Sequence, residues 1–316
     1  MTGLLVVLTT TLAVAEVVLV ENRLTLDAVA WANARWQRVS EGGVSQIDFS
    51  FYRFGAPVGL NFRPAPGTAV RVSFDAGWNE RALDLYVDFR LPAGLLLRAG
   101  QFIPPIGHEA LTLPQDLKAV EYSLLKGAWK PYDPRDVGLM LARDSGLVAA
   151  SIAFVNGFGR SGWLQDENKW KDISGRLLFR PAFLETSFIG GRGYYGRMGP
   201  DGGLMVNYAL ELGFGFGGLV MAAEIQHALI GAYGVTAGYA QTAYRAVDWL
   251  ELVGRLQGSL DVSRTWALGV TAGANVELRG DAMRLMVNYD YLRQQSRQSA
   301  SLSERNRVLL QLQASL

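Results

Sequence analysis

Apolar and polar residues alternate one by one through most of this chain. The last segment shows the rhythm clearly: Val308, Leu310, Leu312, Ala314 and Leu316 fall on one face, and Arg307, Leu309, Gln311, Gln313 and Ser315 on the other. It recurs in Trp266, Leu268, Val270, Ala272, Ala274, Val276 and Leu278 against Thr265, Thr271, Asn275 and Glu277. Leu83, Leu85, Val87, Phe89 and Leu91 stand likewise against Asp84, Asp88 and Arg90. A period of two is that of a strand, because successive side chains leave opposite faces, whereas a helix would repeat its apolar residues every three to four.

Composition decides what such strands build. The chain is 49% hydrophobic and only 19% charged, yet it holds no internal run of about 18 uncharged apolar residues to span a bilayer as a helix. The other way into lipid is a closed barrel, in which every backbone N–H and C=O is paired. The 36 glycines and 11% aromatic content suit its turns and interfacial girdles. The expectation is all-β: a transmembrane antiparallel up-and-down β-barrel of 16 strands, near 24–36, 46–56, 68–76, 83–91, 94–102, 136–144, 147–156, 171–180, 183–191, 203–213, 218–228, 232–245, 248–260, 264–278, 281–293 and 305–316.

The connections should alternate, with short turns such as Pro64 to Gly67, Pro92-Ala93 and Ser145-Gly146 on one rim. Longer polar loops over 37–45, 103–135, 157–170, 192–202 and 294–304 should mark the other. Trp31, Trp36, Trp249, Trp266, Tyr289 and Tyr291 lie near the expected strand ends, where amphipathic rings favour the interface. Leu4 to Leu12 followed by Ala13-Val14-Ala15 reads as a signal peptide over 1–15, leaving 16–316 as one barrel domain.

Cysteine is absent, which removes thiol chemistry and cysteine-ligated metal. The net charge of +1 gives no field for nucleic acid. Only two histidines exist, His108 and His227, and neither sits in a nucleophile–base signature, so no enzyme activity is expected. Two G-x-G-x-x-G spacings, at Gly213-Gly215-Gly218 and Gly191-Gly193-Gly196, lack the following helix of a dinucleotide site and read as turn glycines. No cofactor or metal is expected.

Leu97 to Leu125, LRAGQFIPPIGHEALTLPQDLKAVEYSLL, resembles the strand end and long third loop of the phosphate-selective porin O/P family. Asp136-Val137-Gly138, Phe154 to Gly159, Asp172 to Arg176, and Asn288-Tyr289 with Tyr291 extend the likeness over most of the chain after residue 15. The resemblance implies a 16-stranded, trimeric barrel in the outer membrane of a Gram-negative bacterium, with the third loop folded inward to narrow the pore. Two departures stand out. Leu316 occupies a terminal position that these barrels usually give to an aromatic residue. The third loop is also balanced rather than cationic, with Lys118, Lys126, Lys130 and Arg135 against Glu109, Asp116, Glu121 and Asp133.

Outward apolar faces would send Arg35, Arg71, Arg90, Arg98, Arg176, Arg180, Arg255, Arg284 and Arg307 into the lumen, with Asp27, Asp75, Asp84, Asp88, Glu211, Glu224, Glu251, Glu277 and Asp290. The reverse would place arginines against lipid, at about 2–4 kcal/mol each near the midplane. The arginines could form a ladder for anions, or the two signs could form a cross-strand lattice holding a wet barrel open; their equal numbers favour the lattice. Lys118, Lys126, Lys130, Asp116, Glu121 and Arg135 are the candidates at the constriction. The expected function is a passive, water-filled channel for small hydrophilic or anionic solutes. The alternative is a plugged barrel with a structural or surface role, which a lumen closed by ion pairs would favour.

Overall fold

The computed structural model describes residues 17–20, 23–77, 81–128, 135–157, 169–181, 186–198, 203–279, 282–296 and 302–315. Residues 1–15, Lys130 and Leu316 lie outside them. Sixteen antiparallel strands close on themselves. They are β1 (Leu24–Glu41), β2 (Val44–Gly55 continued by Pro57–Ala65), β3 (Thr68–Asp75), β4 (Arg81–Arg90) and β5 (Leu95–Phe102). Next come β6 (Asp136–Asp144), β7 (Val148–Val155), β8 (Asp172–Phe179), β9 (Phe188–Met198), β10 (Gly203–Phe216) and β11 (Leu219–Ile230). The ring ends with β12 (Tyr233–Val247), β13 (Leu250–Asp261), β14 (Trp266–Glu277), β15 (Met283–Gln295) and β16 (Leu302–Ser315). β16 pairs with β1 from Ser303↔Glu41 to Ser315↔Val29 and completes the ring. Below that point Val17–Val20 covers the base of β1, pairing Val17 with Leu26.

The sheet is inside out by the standards of a water-soluble protein. Asn207, Glu211, Gln226, Glu224, Arg255, Thr271, Asn275, Asn288 and Asp290 are buried, while Leu210, Ile225, Leu256 and Leu268 are exposed. The alternation fixes this: each strand offers its polar side to the enclosed space and its apolar side to the surroundings, as a bilayer requires. Among the described residues no helix is long and apolar enough to cross a membrane.

Leu210, at the middle of β10 between Gly191 and Ile225, is 68% exposed. Leu210→Arg should therefore cost about 2–4 kcal/mol of stability in a bilayer, read as a lower urea midpoint for the protein folded in vesicles. An unchanged midpoint would mean that this face does not meet lipid.

Three expectations need correction. The loops expected at 37–45, 192–202 and 294–304 are short, because β1 runs to Glu41, β9 to Met198 and β15 to Gln295. Strands that rise out of the membrane are polar on both faces, so their alternation fades while their pairing continues. The lower half of β2, Pro57–Ala65, was hidden for another reason: Pro57, Gly59 and Pro64 interrupt the pattern, and Tyr52 forms a bulge between Phe51 and Arg53.

Trp31 is not an interfacial ring. It is 5% exposed, on the inner face of β1, and its indole lies over Gly55, where a Cβ would collide with the ring. Of the glycine motifs, only Gly218 lies in a turn, between β10 and β11. Gly191, Gly193 and Gly196 lie within β9, and Gly213 and Gly215 within β10. Gly213 leaves room for the Phe188 ring and Gly196 for the Asp172 carboxylate.

Candidate functional site: the pore constriction

The third loop, between β5 and β6, carries α1 (His108–Leu111), a short turn at Pro114–Asp116 and α2 (Leu124–Ala128). Its apolar residues face the inner wall of the later strands. Ile106 packs with Tyr194 and Met205, Ala119 with Ala243 and Val253, and Val120 with Met286 and Leu309. Leu309 was one apolar residue on the polar face of the last segment, and this contact is its reason.

Polar anchors complete the attachment. The Val120 N–H donates to Asn288 Oδ1 (2.6 Å) and the Leu124 N–H to Gln257 Oε1 (2.8 Å). Asn275 donates to the Lys118 carbonyl, Arg255 to the Glu121 carbonyl and Gln226 to the Leu125 carbonyl. Lys118 pairs with Glu251 at 2.6 Å, and Glu121 with Arg307 at 2.8 Å, which also holds Asp290 at 2.7 Å. The loop backbone is thus satisfied by side chains of β11–β16, which a buried segment without a strand partner requires.

Behind α1 the charges are dry. Arg192 donates to Glu224 Oε1 (3.1 Å), Asn207 Oδ1 (2.6 Å) and Gln226 Oε1 (2.6 Å). The other Glu224 oxygen accepts the Glu109 N–H. Arg176 grips Glu211 with two bonds of 2.7 and 2.6 Å. Glu109 is buried and accepts from the Ser123 N–H (2.7 Å) and hydroxyl (2.6 Å). Burial pushes the Glu109 carboxyl up, against the pull of the Ser123 donors and Arg255. His108 is lowered by burial and by Arg176; its ring stacks on Phe188 at 5.1 Å. His227 lies far along the chain, with Nδ1 2.8 Å from Thr236 Oγ1.

Most of the loop's contacts are with β9–β16; on the side of β1–β4 it touches Tyr52, which packs against the Val120 cluster, and Arg135 at its end reaches Asp84. A cavity of about 80 Å³ runs there, lined by Asp27, Arg53, Arg71, Asp84, Tyr122, Lys126 and Arg135. Arg71 pairs with Asp27 at 3.1 Å and approaches Asp84 at 3.7 Å; Arg135 pairs with Asp84 at 2.8 Å. The Lys126 ammonium sits 3.4 Å from the Tyr122 ring centroid. Under the loop a space of about 630 Å³ is lined by Arg90, Arg98, Arg176 and Arg180.

The sequence-predicted residues therefore separate into groups. Arg71, Arg135 and Lys126 border the cavity beside the loop. Lys118, Glu121, Arg255 and Arg284 fasten the loop, Arg284 by donating to the Gln115 carbonyl (2.5 Å). Asp116 is exposed beside them. Arg98 is clamped to Asp88 (2.7 Å), Arg180 to Asp144 (2.5 Å), and Arg35 lies over the Tyr52 ring and 3.9 Å from Asp48. Arg192 was missed because the glycines around it erase the alternation. Arg53 was missed because the bulge at Tyr52 shifts the parity that follows it.

Neither a family model nor a curated protein matches the sequence. Solved structures do match, at 8–10% identity. OprB of Pseudomonas putida aligns over 93% of this chain and 94% of its own, with a TM-score of 0.69 and 8% identity. The anion-selective porin from Comamonas acidovorans aligns over 93% and 100%, at 0.63 and 10%. The trimer form of in-vitro folded OmpT, an outer membrane protein of Vibrio cholerae, aligns over 93% and 100%, at 0.58 and 10%. The chain has the fold of an outer-membrane porin. Inside this barrel Asp84 is the acid that meets two cations, Arg135 at 2.8 Å and Arg71 at 3.7 Å. Asp84→Asn should shift the zero-current potential toward anions; an unchanged potential would remove Asp84 from the conduction path.

Proposed function

We propose that the protein is a passive outer-membrane porin for small hydrophilic solutes, with a preference for anions. The observation that carries this reading is the uneven fastening of the third loop, which makes most of its contacts with β9–β16 and leaves cavities beside and beneath it. The cavities beside and beneath the loop have mixed walls, apolar side chains interrupted by arginines that would hold water and charged solutes. No reaction is assigned, and movement follows the solute gradient. The ion-pair lattice holds the wall apart and fixes the loop, as the balance of charges in the sequence suggests. Phosphate-like solutes are the natural anionic candidates, given the third-loop resemblance and the planar, forked donors of arginine.

The short-turn rim, which carries both ends of the barrel, is assigned to the periplasm, and residues 1–15 to a cleaved signal peptide. A homotrimer is proposed as the working assembly. The upper half of β2, Val44–Gly55, pairs with β1, and β3 reaches only Pro57. Ile47, Phe49 and Phe51 on that stretch are 59–67% exposed. A neighbouring protomer would cover this edge.

Liposome swelling tests the reading. Vesicles holding the folded protein should swell in small sugars and amino acids and progressively less as solute size grows. Vesicles that remain impermeable would support the plugged barrel.

A further inference from the structure

Arg23, Arg63 and Arg90 line one cavity of about 660 Å³ on the short-turn rim, together with the turn Pro64 to Gly67. All three side chains are exposed, and among the described residues none makes an ion pair. Their placement is fixed by backbone. The Arg63 N–H donates to the Arg23 carbonyl (2.7 Å), and the Arg90 N–H donates to the Gly67 carbonyl (2.7 Å). Arg63 and Arg90 share the inner parity of Asn61 and Asp88, so they open toward the lumen rather than toward lipid. The acid in this cavity, Asp88, is already taken: Arg98 holds both its oxygens, at 2.7 and 2.9 Å.

The passage beside the third loop differs in kind. There Arg53, Arg71, Lys126 and Arg135 face Asp27, Asp75 and Asp84, four cations against three acids, with two of the arginines paired to acids. Charge is nearly balanced beside the loop. It is uncompensated where the lumen opens.

We propose that the rim cavity is an oxyanion-binding site, and that anion preference in this channel is set at the rim mouth rather than at the third-loop constriction. This rests on the porin reading and adds the substrate class and the position of the filter. Three guanidinium groups around one opening offer paired N–H donors to a phosphate or carboxylate, and Arg is suited to such planar, two-pronged contacts. The donors are solvated, so the site would hold an anion briefly and release it, as conduction requires. A bound anion at this end would also make the channel asymmetric: block from the rim side should exceed block from the loop side.

The test uses the full folded chain and inorganic phosphate. Binding is measured by equilibrium dialysis of radiolabelled phosphate against detergent-solubilised protein, and function by phosphate block of KCl current with phosphate added to one chamber at a time. The double variant Arg63→Gln, Arg90→Gln touches no ion pair, and its heat-modifiable migration on gels checks folding. The expected result is saturable binding and side-dependent block in the original protein, both weakened about tenfold or more in the variant, as loss of charge-assisted contacts predicts. No saturable binding, or binding that the variant leaves unchanged, would overturn the site. Phosphate binding that is present in neutral detergent but abolished in discs of anionic phospholipid would assign the arginines to lipid headgroups and overturn the solute filter. Binding without any conductance would leave the site and remove the porin reading.

Discussion

Replacing Arg192 by alanine should destabilise the folded barrel by about 3–5 kcal/mol, the cost of leaving a buried charge without its partner. The side chains of Arg192 and Glu224 are 1% and 0% exposed and lie 3.1 Å apart. Without the guanidinium, Glu224 would keep one backbone donor, the Glu109 N–H at 3.2 Å. Asn207 Oδ1 and Gln226 Oε1 would also lose the donor that each now shares at 2.6 Å. The measurement is urea unfolding in vesicles followed by tryptophan emission. Arg192→Ala with Glu224→Ala should recover part of the loss, because no unpaired charge remains. A loss below about 1 kcal/mol, the range of solvated surface pairs, would show that water reaches this cluster.

Gly107→Val should free the third loop and raise the conductance several-fold, with current that fluctuates between levels. Gly107 has φ +130°, a conformation that a β-branched residue does not hold without strain. A Cβ there would also collide with the Glu224 carboxylate and crowd Arg192. The loop would have to lift from the wall just before α1, and the wall contact that follows, the Glu109 N–H to Glu224, would open with it. Single-channel recording checks this, and swelling assays should admit larger sugars. A variant with unchanged conductance would show that the loop does not set the width of the path.

The strand pattern was readable wherever one face met lipid. Val308 to Leu316, Trp266 to Leu278 and Leu83 to Leu91 kept a strict two-residue rhythm, because a single misplaced side chain there is penalised by the bilayer. The rhythm failed where that penalty is absent: in the water-exposed ends of β1, β9 and β15, in the proline-broken half of β2, and along the glycines of β9. The lumenal placement of Arg71, Arg98 and Arg255 followed from parity alone. Their partners did not. Whether Arg71 meets Asp27 or Asp84 depends on register between strands far apart in sequence, and no local pattern encodes it. The course of the third loop was equally hidden, since its anchors Asn275, Asn288 and Gln257 look like ordinary polar positions until the loop carbonyls and amides arrive beside them. The uncompensated arginines at the rim emerged only when neighbouring acids could be assigned to other partners.

The central claim is that the third loop narrows the lumen and leaves it open, and planar-bilayer recording of the folded protein tests it most directly. The account predicts discrete, ohmic current steps in KCl, with a zero-current potential on the anion side under a salt gradient. Correctly folded protein that inserts yet passes no current would contradict it, and would make the ion-pair lattice the plug of a closed barrel.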